Sequence, residues 1–352
     1  MKLRPLALAL ALLATLAVWF FPIRGVSHDI FPAAPGSPLV PFYSHPLLAL
    51  SIHRAAAALV GIFGWHRFGR PFPAVVAALL TAIHPAATEV LAAPAHAPLA
   101  LALFFFCLAA WALRAPSPRR HEIAGAVLTA LFGLMVLFPA LADGWRATAV
   151  AYSSDPAYTP IQALSAAPWL WFRSLRCLLV PWPLNIAQPI PAVAPFSVSF
   201  WIGLAWLVAA VWGAIAARRA LTDLSFALLW MLAAFLPFSN LIPLPQPVAD
   251  RYLYFMVPGF SLAVASVLAR HDSRGARCAG AIVLFAIYAA LVRMRLDQWR
   301  TSDALWAAAA FHNPTSVSVN LECARLCDLS DNPEGAAAFR AVVDHLQSPA
   351  SP

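Results

Sequence analysis

The chain is built from long apolar runs, most of them close to the roughly 20 residues that a helix needs to cross a bilayer. They lie at about 5–22, 46–65, 71–86, 98–114, 123–141, 168–182, 199–217, 224–243, 252–269 and 278–294. Apolar types make up 62% of the 352 residues and charged types 11%. Soluble domains run nearer 45–50% and about 25%. The sequence therefore predicts an all-α polytopic membrane protein and excludes a set of soluble domains.

The charges between the runs set an orientation. Lys2/Arg4, Arg67/Arg70, Arg114/Arg119/Arg120, Arg218/Arg219 and Arg270/Arg274/Arg277 fall in alternate connections. The other connections hold Asp29, Glu89, Asp143, Asp155 and Asp250. Basic loops face the cytoplasm. The alternation works if every run crosses except 168–182, which carries Arg173, Arg176, Trp169, Trp171 and Trp182. Arg and Trp suit the interface, so that run is expected to lie along the outer face. The result is nine crossings, an uncleaved first helix, a cytoplasmic N-terminus and an extracytoplasmic C-terminus. The net charge of +8 is then an orientation signal, not a nucleic-acid patch.

Residues 1–294 read as the membrane domain. Residues 295–352 read as an extracytoplasmic tail of two or three short amphipathic helices, with Leu305, Trp306, Ala309, Val319, Leu321, Ala324, Leu326, Ala336, Phe339, Val342 and Leu346 on their apolar faces. Many prolines stand at run ends, where they favour ordered connectors. Cys323 and Cys327 are four apart, but no His or Cys cluster accompanies them, so the cysteines read as structural. Nucleotide-binding, zinc-protease, serine-hydrolase and P-loop signatures are absent.

In this topology Asp29, Glu89 and Asp250 all reach the outer face, two of them beside a His or an Arg. Each also has a structural reading. Asp29 can be a solvated loop acid, Glu89 a helix cap, and Asp250-Arg251 a local ion pair. His53-Arg54, inside a run, reads as a polar seam between helices.

These residues carry a resemblance. Asn240 to Tyr254, with Pro243, Pro245, Pro247, Asp250, Arg251 and Tyr252, resembles a loop of the transmembrane and tetratricopeptide-repeat O-mannosyltransferases and their bacterial relatives. Trp230 to Ser239, Arg173-Ser-Leu-Arg176 through Trp182-Pro-Leu-Asn185, and His84-Pro85 with Glu89 fit the same family. Trp299-Arg300, Leu305-Trp306 and Asn313-Pro314 are similar to the entry into its first tetratricopeptide repeat. The resemblance covers roughly residues 45–110 and 165–345. It implies a GT-C-like helical membrane domain with a short TPR-like helical hairpin. The implied activity is sugar transfer from a polyprenyl-phosphate-linked donor to a protein Ser/Thr or glycan hydroxyl on the extracytoplasmic face of a bacterial inner membrane. No metal or other cofactor is required by it.

The family usually places two adjacent acids in its first outer loop; here His28-Asp29 supplies one. Ala87 stands where a second His is expected, and Ala187 and Gln188 where an acid and a His often follow. The implied site has Asp29, Glu89 and Asp250 as catalytic acids, with Asp29 first choice for the base. Arg251, or else Arg173 and Arg176, would offset the leaving phosphate. His28, His84, Tyr252, Tyr254, Trp182 and Asn185 complete the substrate-binding set. Two alternatives are a catalytically inactive scaffold whose tail binds a protein partner, and a lipid or small-molecule transporter with His53-Arg54 on its path.

Overall fold

A computed structural model describes residues 46–93, 96–112, part of 123–138, 160–186, 188, 193–239 and 248–348. Asp29, His28, the first apolar run and most of the 240–254 loop lie outside the described residues. Within them regular structure is helical, apart from one isolated antiparallel bridge between Gln188 and Val248.

Prolines start several of the helices. The first helical turn leaves N–H groups without partners, so a proline there costs nothing and its φ is already helical. Pro46 opens α1 (Pro46–Phe68), Pro71 opens α2 (Pro71–Ile83), and Pro98 opens α4 (Pro98–Ala112). Pro160 opens α5 (Pro160–Leu179). Between α2 and α4 the chain breaks at His84, makes a 3-10 turn over Pro85–Ala87, and adds the short α3 (Thr88–Ala92). This bends the 71–92 stretch by 43°. Gly69, at φ +61°, makes the tight α1–α2 link, with its N–H bonded to the Trp65 carbonyl at 2.9 Å.

The second half holds α6 (Val198–Ala220), α7 (Thr222–Phe235), α8 (Asp250–Leu253), α9 (Val257–Arg270) and α10 (Arg274–Gln298). α1, α6 and α10 are each long and apolar enough to cross a membrane, and the bent 71–92 pair can serve as a fourth span. α4, α7 and α9, at 15, 14 and 14 residues, reach only about 21–23 Å at 1.5 Å per residue. That is short of the ~30 Å apolar thickness. α5 has 20 residues, but Gln162, Ser165, Arg173, Ser174 and Arg176 make it less apolar than the candidate spans. The chain is a helical membrane protein.

Small residues let the inner helices close on one another: Ala56 and Ala57 of α1, Ala77 and Ala78 of α2, and Ala100 and Ala102 of α4 are all fully enclosed. α6 and α10 are peripheral. Only 22% and 17% of their apolar windows are buried, against 50% for α1. Trp201, Trp206, Trp212, Ile282, Val283 and Ile287 stand exposed on them, as a lipid-facing surface requires.

Among the described residues, the basic connections at 67–70, 218–219 and 270–277 gather at one end. Arg67 at the end of α1 pairs with Asp223 at the start of α7 at 3.0 Å, and the Arg277 guanidinium lies 5.7 Å from the Phe72 ring centroid. The helices alternate in direction, so Glu89 and Asp250 fall at the other end.

The tail is three helices, α11 (Ser302–His312), α12 (Val317–Leu329) and α13 (Pro333–Gln347). Thr301, Ser316 and Asn332 cap them, each side chain accepting the N–H three residues on. Leu305, Trp306, Ala309, Val319 and Cys323 join the same apolar core as the bundle. One apolar expectation shifts: Val343 is buried and Val342 is 39% exposed, because seven residues, two full turns, separate 343 from the buried Ala336. α10 also runs four residues past position 294, carrying Arg295 into the bundle.

Candidate functional site

The break at His84-Pro85 aims α3 across the end of the bundle. Glu89, in its first turn, is buried. Its Oε1 accepts from Arg251 Nη1 at 2.6 Å, and its Oε2 accepts from the Arg251 backbone N–H at 3.1 Å. One carboxylate thus neutralises a buried guanidinium and takes up a free N–H at the start of α8. His96 Nε2 lies 3.5 Å from the same Oε1.

Asp250 turns the other way. Its Oδ2 accepts from Arg295 Nη2 at 2.9 Å, and the Asn185 backbone N–H also donates to its carboxyl. Arg295 is fixed in turn by Gln298, whose side-chain oxygen accepts from Nη1 at 2.6 Å. The expected local pair between Asp250 and Arg251 does not form. Adjacent residues of a helical turn project about 100° apart, and each finds its own partner from another helix. Nor does Glu89 cap the helix that follows it in the chain, since both of its oxygens go to Arg251.

Burial pushes the Asp250 carboxyl up from its ordinary 3.8 to about 7. The neighbouring Glu89 charge adds to this, while Arg295, the Asn185 N–H and Arg173 oppose it. A carboxyl so tuned exchanges its proton near neutral pH.

Asp250 opens onto a small cleft between α5, the end of α7 and the 248–256 segment, with about 30 Å³ of room for a bound atom group. Arg173, Ser174 and Gln188 give it a polar side. Phe235, Phe238, Tyr252 and Met256 give it an apolar one. Tyr252 stacks on Phe238 with centroids 4.8 Å apart. A cation and a titratable carboxyl side by side at the mouth of an apolar cleft can pair with an anion and exchange a proton.

Compared with protein families, curated proteins and solved structures, the chain matches none of them.

The expected site residues divide into four groups. Glu89, Asp250 and Arg251 come together, with Arg173 and Tyr252 on the adjoining cleft. Asn185 stands behind Asp250; its side-chain NH₂ donates to the Ala309 carbonyl of α11 at 3.4 Å. Arg176 donates to the Trp182 carbonyl at 3.4 Å, and Trp182 meets His312 edge-on at 5.8 Å, at the surface.

His84 and Tyr254 are committed to the core. His84 Nε2 donates to the Leu178 carbonyl at 3.0 Å, and its Nδ1 accepts the Ala86 N–H. Tyr254 bonds His53 Nδ1 at 2.9 Å, and His53 Nε2 reaches the Ala82 carbonyl at 3.2 Å. Both His53 nitrogens thus bond within the helix seam. Asp29 and His28 lie outside the described residues. Among the described residues no group of three or more His, Cys, Asp or Glu side chains gathers.

Sequence reading missed Arg295. The signal was present: Tyr288, Val292, Arg295, Leu296 and Trp299 are all buried, spaced as one helical face. An arginine inside such a stripe needs a buried acid.

Proposed function

We propose that the protein is a membrane glycosyltransferase. It moves a sugar from a polyprenyl-phosphate-linked donor to an acceptor hydroxyl, on a protein Ser/Thr or a glycan, at the extracytoplasmic face of a bacterial inner membrane. The observation that carries this reading is Asp250 facing Arg173 across an apolar cleft at the end of the bundle opposite the basic loops. The family resemblance of the 240–254 segment gives the substrate class, with a GT-C-like membrane domain and a TPR-like tail.

In this reading the base takes the acceptor proton as the new bond forms at the anomeric carbon. The sugar–phosphate bond breaks, and the polyprenyl phosphate leaves with the electron pair. Asp250 is the base among the described residues; Asp29 is the acid that the resemblance selects. Arg173 offsets charge on the leaving phosphate. Arg251 is already paired with Glu89, so its role moves from phosphate contact to holding α8. The reading needs no metal.

The test is transfer of labelled sugar from a polyprenyl-phosphate donor to peptide or glycan acceptors by the reconstituted full chain. Asp250→Asn should lower kcat by about 10²–10⁴-fold, and Arg173→Ala should also lower it. Because the base works ionised, activity should rise as pH rises through about 7. If Asp29→Asn abolishes transfer and Asp250→Asn leaves it intact, Asp29 is the base. The inactive-scaffold reading draws on the closed pairing of Arg251 and Arg295, and it predicts no polyprenyl phosphate release by the parental chain.

A further inference from the structure

Two of the groups that act on Asp250, Arg295 and Asn185, lie beside the junction of the bundle and the tail. Arg295 lies in the last turn of α10, four residues before the buried Trp299 and just ahead of α11. Its guanidinium carbon is 5.9 Å from the Trp299 ring centroid, and its second nitrogen is held by Gln298. Asn185 makes the same connection from the other side. Its backbone N–H goes to Asp250 and its side chain to α11. Trp306, buried one turn along α11, receives the Cys323 thiol on its carbonyl at 3.6 Å, which joins α12 to the assembly. One hydrogen bond, from the Asn185 side chain to α11, therefore joins a residue bonded to the cleft carboxyl to the tail, and Arg295 stands one turn ahead of the point where the tail begins.

We infer that Arg295 and Asn185 are positioning residues through which the C-terminal helical tail sets the geometry and charge of Asp250. The catalytic consequence rests on the glycosyltransferase reading, but the coupling does not. The groups facing Asp250 are Arg295 from α10, Arg173 from α5, Glu89 from α3 and the Asn185 N–H. Of these, Asn185 is bonded to the tail and Arg295 sits on the helix end from which the tail departs. Loosening the tail should therefore weaken the two contacts that favour the ionised form, while burial and Glu89 continue to favour the neutral one.

The test uses dicyclohexylcarbodiimide, an apolar reagent that attacks protonated carboxyls. Its incorporation at Asp250 is followed against pH by mass spectrometry in the full chain. Arg295→Gln should move the half-labelling pH upward by about 1–3 units, the range for losing an opposite charge at this distance. Arg295→Lys, which keeps the charge, should move it less than half as far. Trp306→Ala leaves Arg295 in place but loosens α11, and should move it in the same direction as Arg295→Gln.

An unmoved half-labelling pH in Arg295→Gln overturns the proposal. So does a shift in Arg295→Gln that Trp306→Ala fails to reproduce. The same variants assayed for sugar transfer should show the acid limb of the pH profile moving with the labelling. If no form of the chain transfers sugar, the enzymatic reading fails while the labelling result stands on its own.

Discussion

Glu89 and Arg251 are 162 residues apart and meet with essentially no exposure of either side chain. Two desolvated charges gain little over an apolar pair of the same shape, but either one alone is costly. Glu89→Gln leaves the Arg251 guanidinium buried without its counter-charge, and should cost about 3–5 kcal/mol. Glu89→Gln combined with Arg251→Met removes both charges and should recover part of that loss. Thermal inactivation of the purified protein in detergent measures both, as a rate where unfolding is irreversible. A double variant as unstable as the two singles added together would mean that the charges are not coupled. The residue types were legible in the sequence, since an acid and an arginine in outer loops are conspicuous in so apolar a chain. Their pairing was not. Asp250 and Arg251 adjoin and invite a local reading, whereas the turn of α8 sends them to Arg295 and Glu89.

Helices were legible wherever composition alone sets them. The run at 199–217 became Val198–Ala220, and that at 278–294 became Arg274–Gln298. Helices continue past their apolar stretch as long as polar residues there keep helical propensity, so the sequence reading stopped short at both ends of α10. The run at 168–182 became Pro160–Leu179, because Pro160 supplies a helix start ahead of the apolar stretch. What composition does not show is how closely two helices approach. α5 and α6 touch at Gly203, where an added Cβ would lie 2.3 Å from the Pro168 carbonyl carbon and 2.4 Å from the Trp169 nitrogen. These are backbone atoms and cannot swing aside. Gly203→Ala must therefore push α6 off α5, and should destabilise by about 1–3 kcal/mol or more, as overpacking does. Gly213→Ala, on the same helix, meets nothing nearer than Leu228 Cδ1 at 3.4 Å and should be close to neutral. Detergent thermal shifts of the two variants make the comparison. Equal shifts would remove the close approach as a structural determinant. Since Arg173 follows Pro168 on α5, the Gly203 variant should also disturb the cleft.

At the scale of the molecule, the charge pattern and the helix packing make the same division. Arg67–Asp223 and Arg277 against Phe72 draw three connections together at one end, and Arg218, Arg219, Arg270 and Arg274 lie in the same connections. Loops rich in arginine stay on the cytoplasmic side, so the Asp250 cleft at the opposite end should face outward. α9 makes this testable with few labels, because it runs from just beyond the Asp250 turn to His271. Asp272 is exposed in the short connection after it, and Phe311 is 82% exposed on α11. In a background cleared of the free cysteines, a membrane-impermeant thiol reagent applied to intact cells should label Phe311→Cys. It should reach Asp272→Cys only after the cells are opened. Labelling of Asp272→Cys from outside would invert the molecule and carry the cleft to the cytoplasm, away from any extracytoplasmic acceptor. Because α9 ties that connection to Asp250 through a single rigid helix, the orientation of the one fixes the orientation of the other, and the topology experiment tests the placement of the site directly.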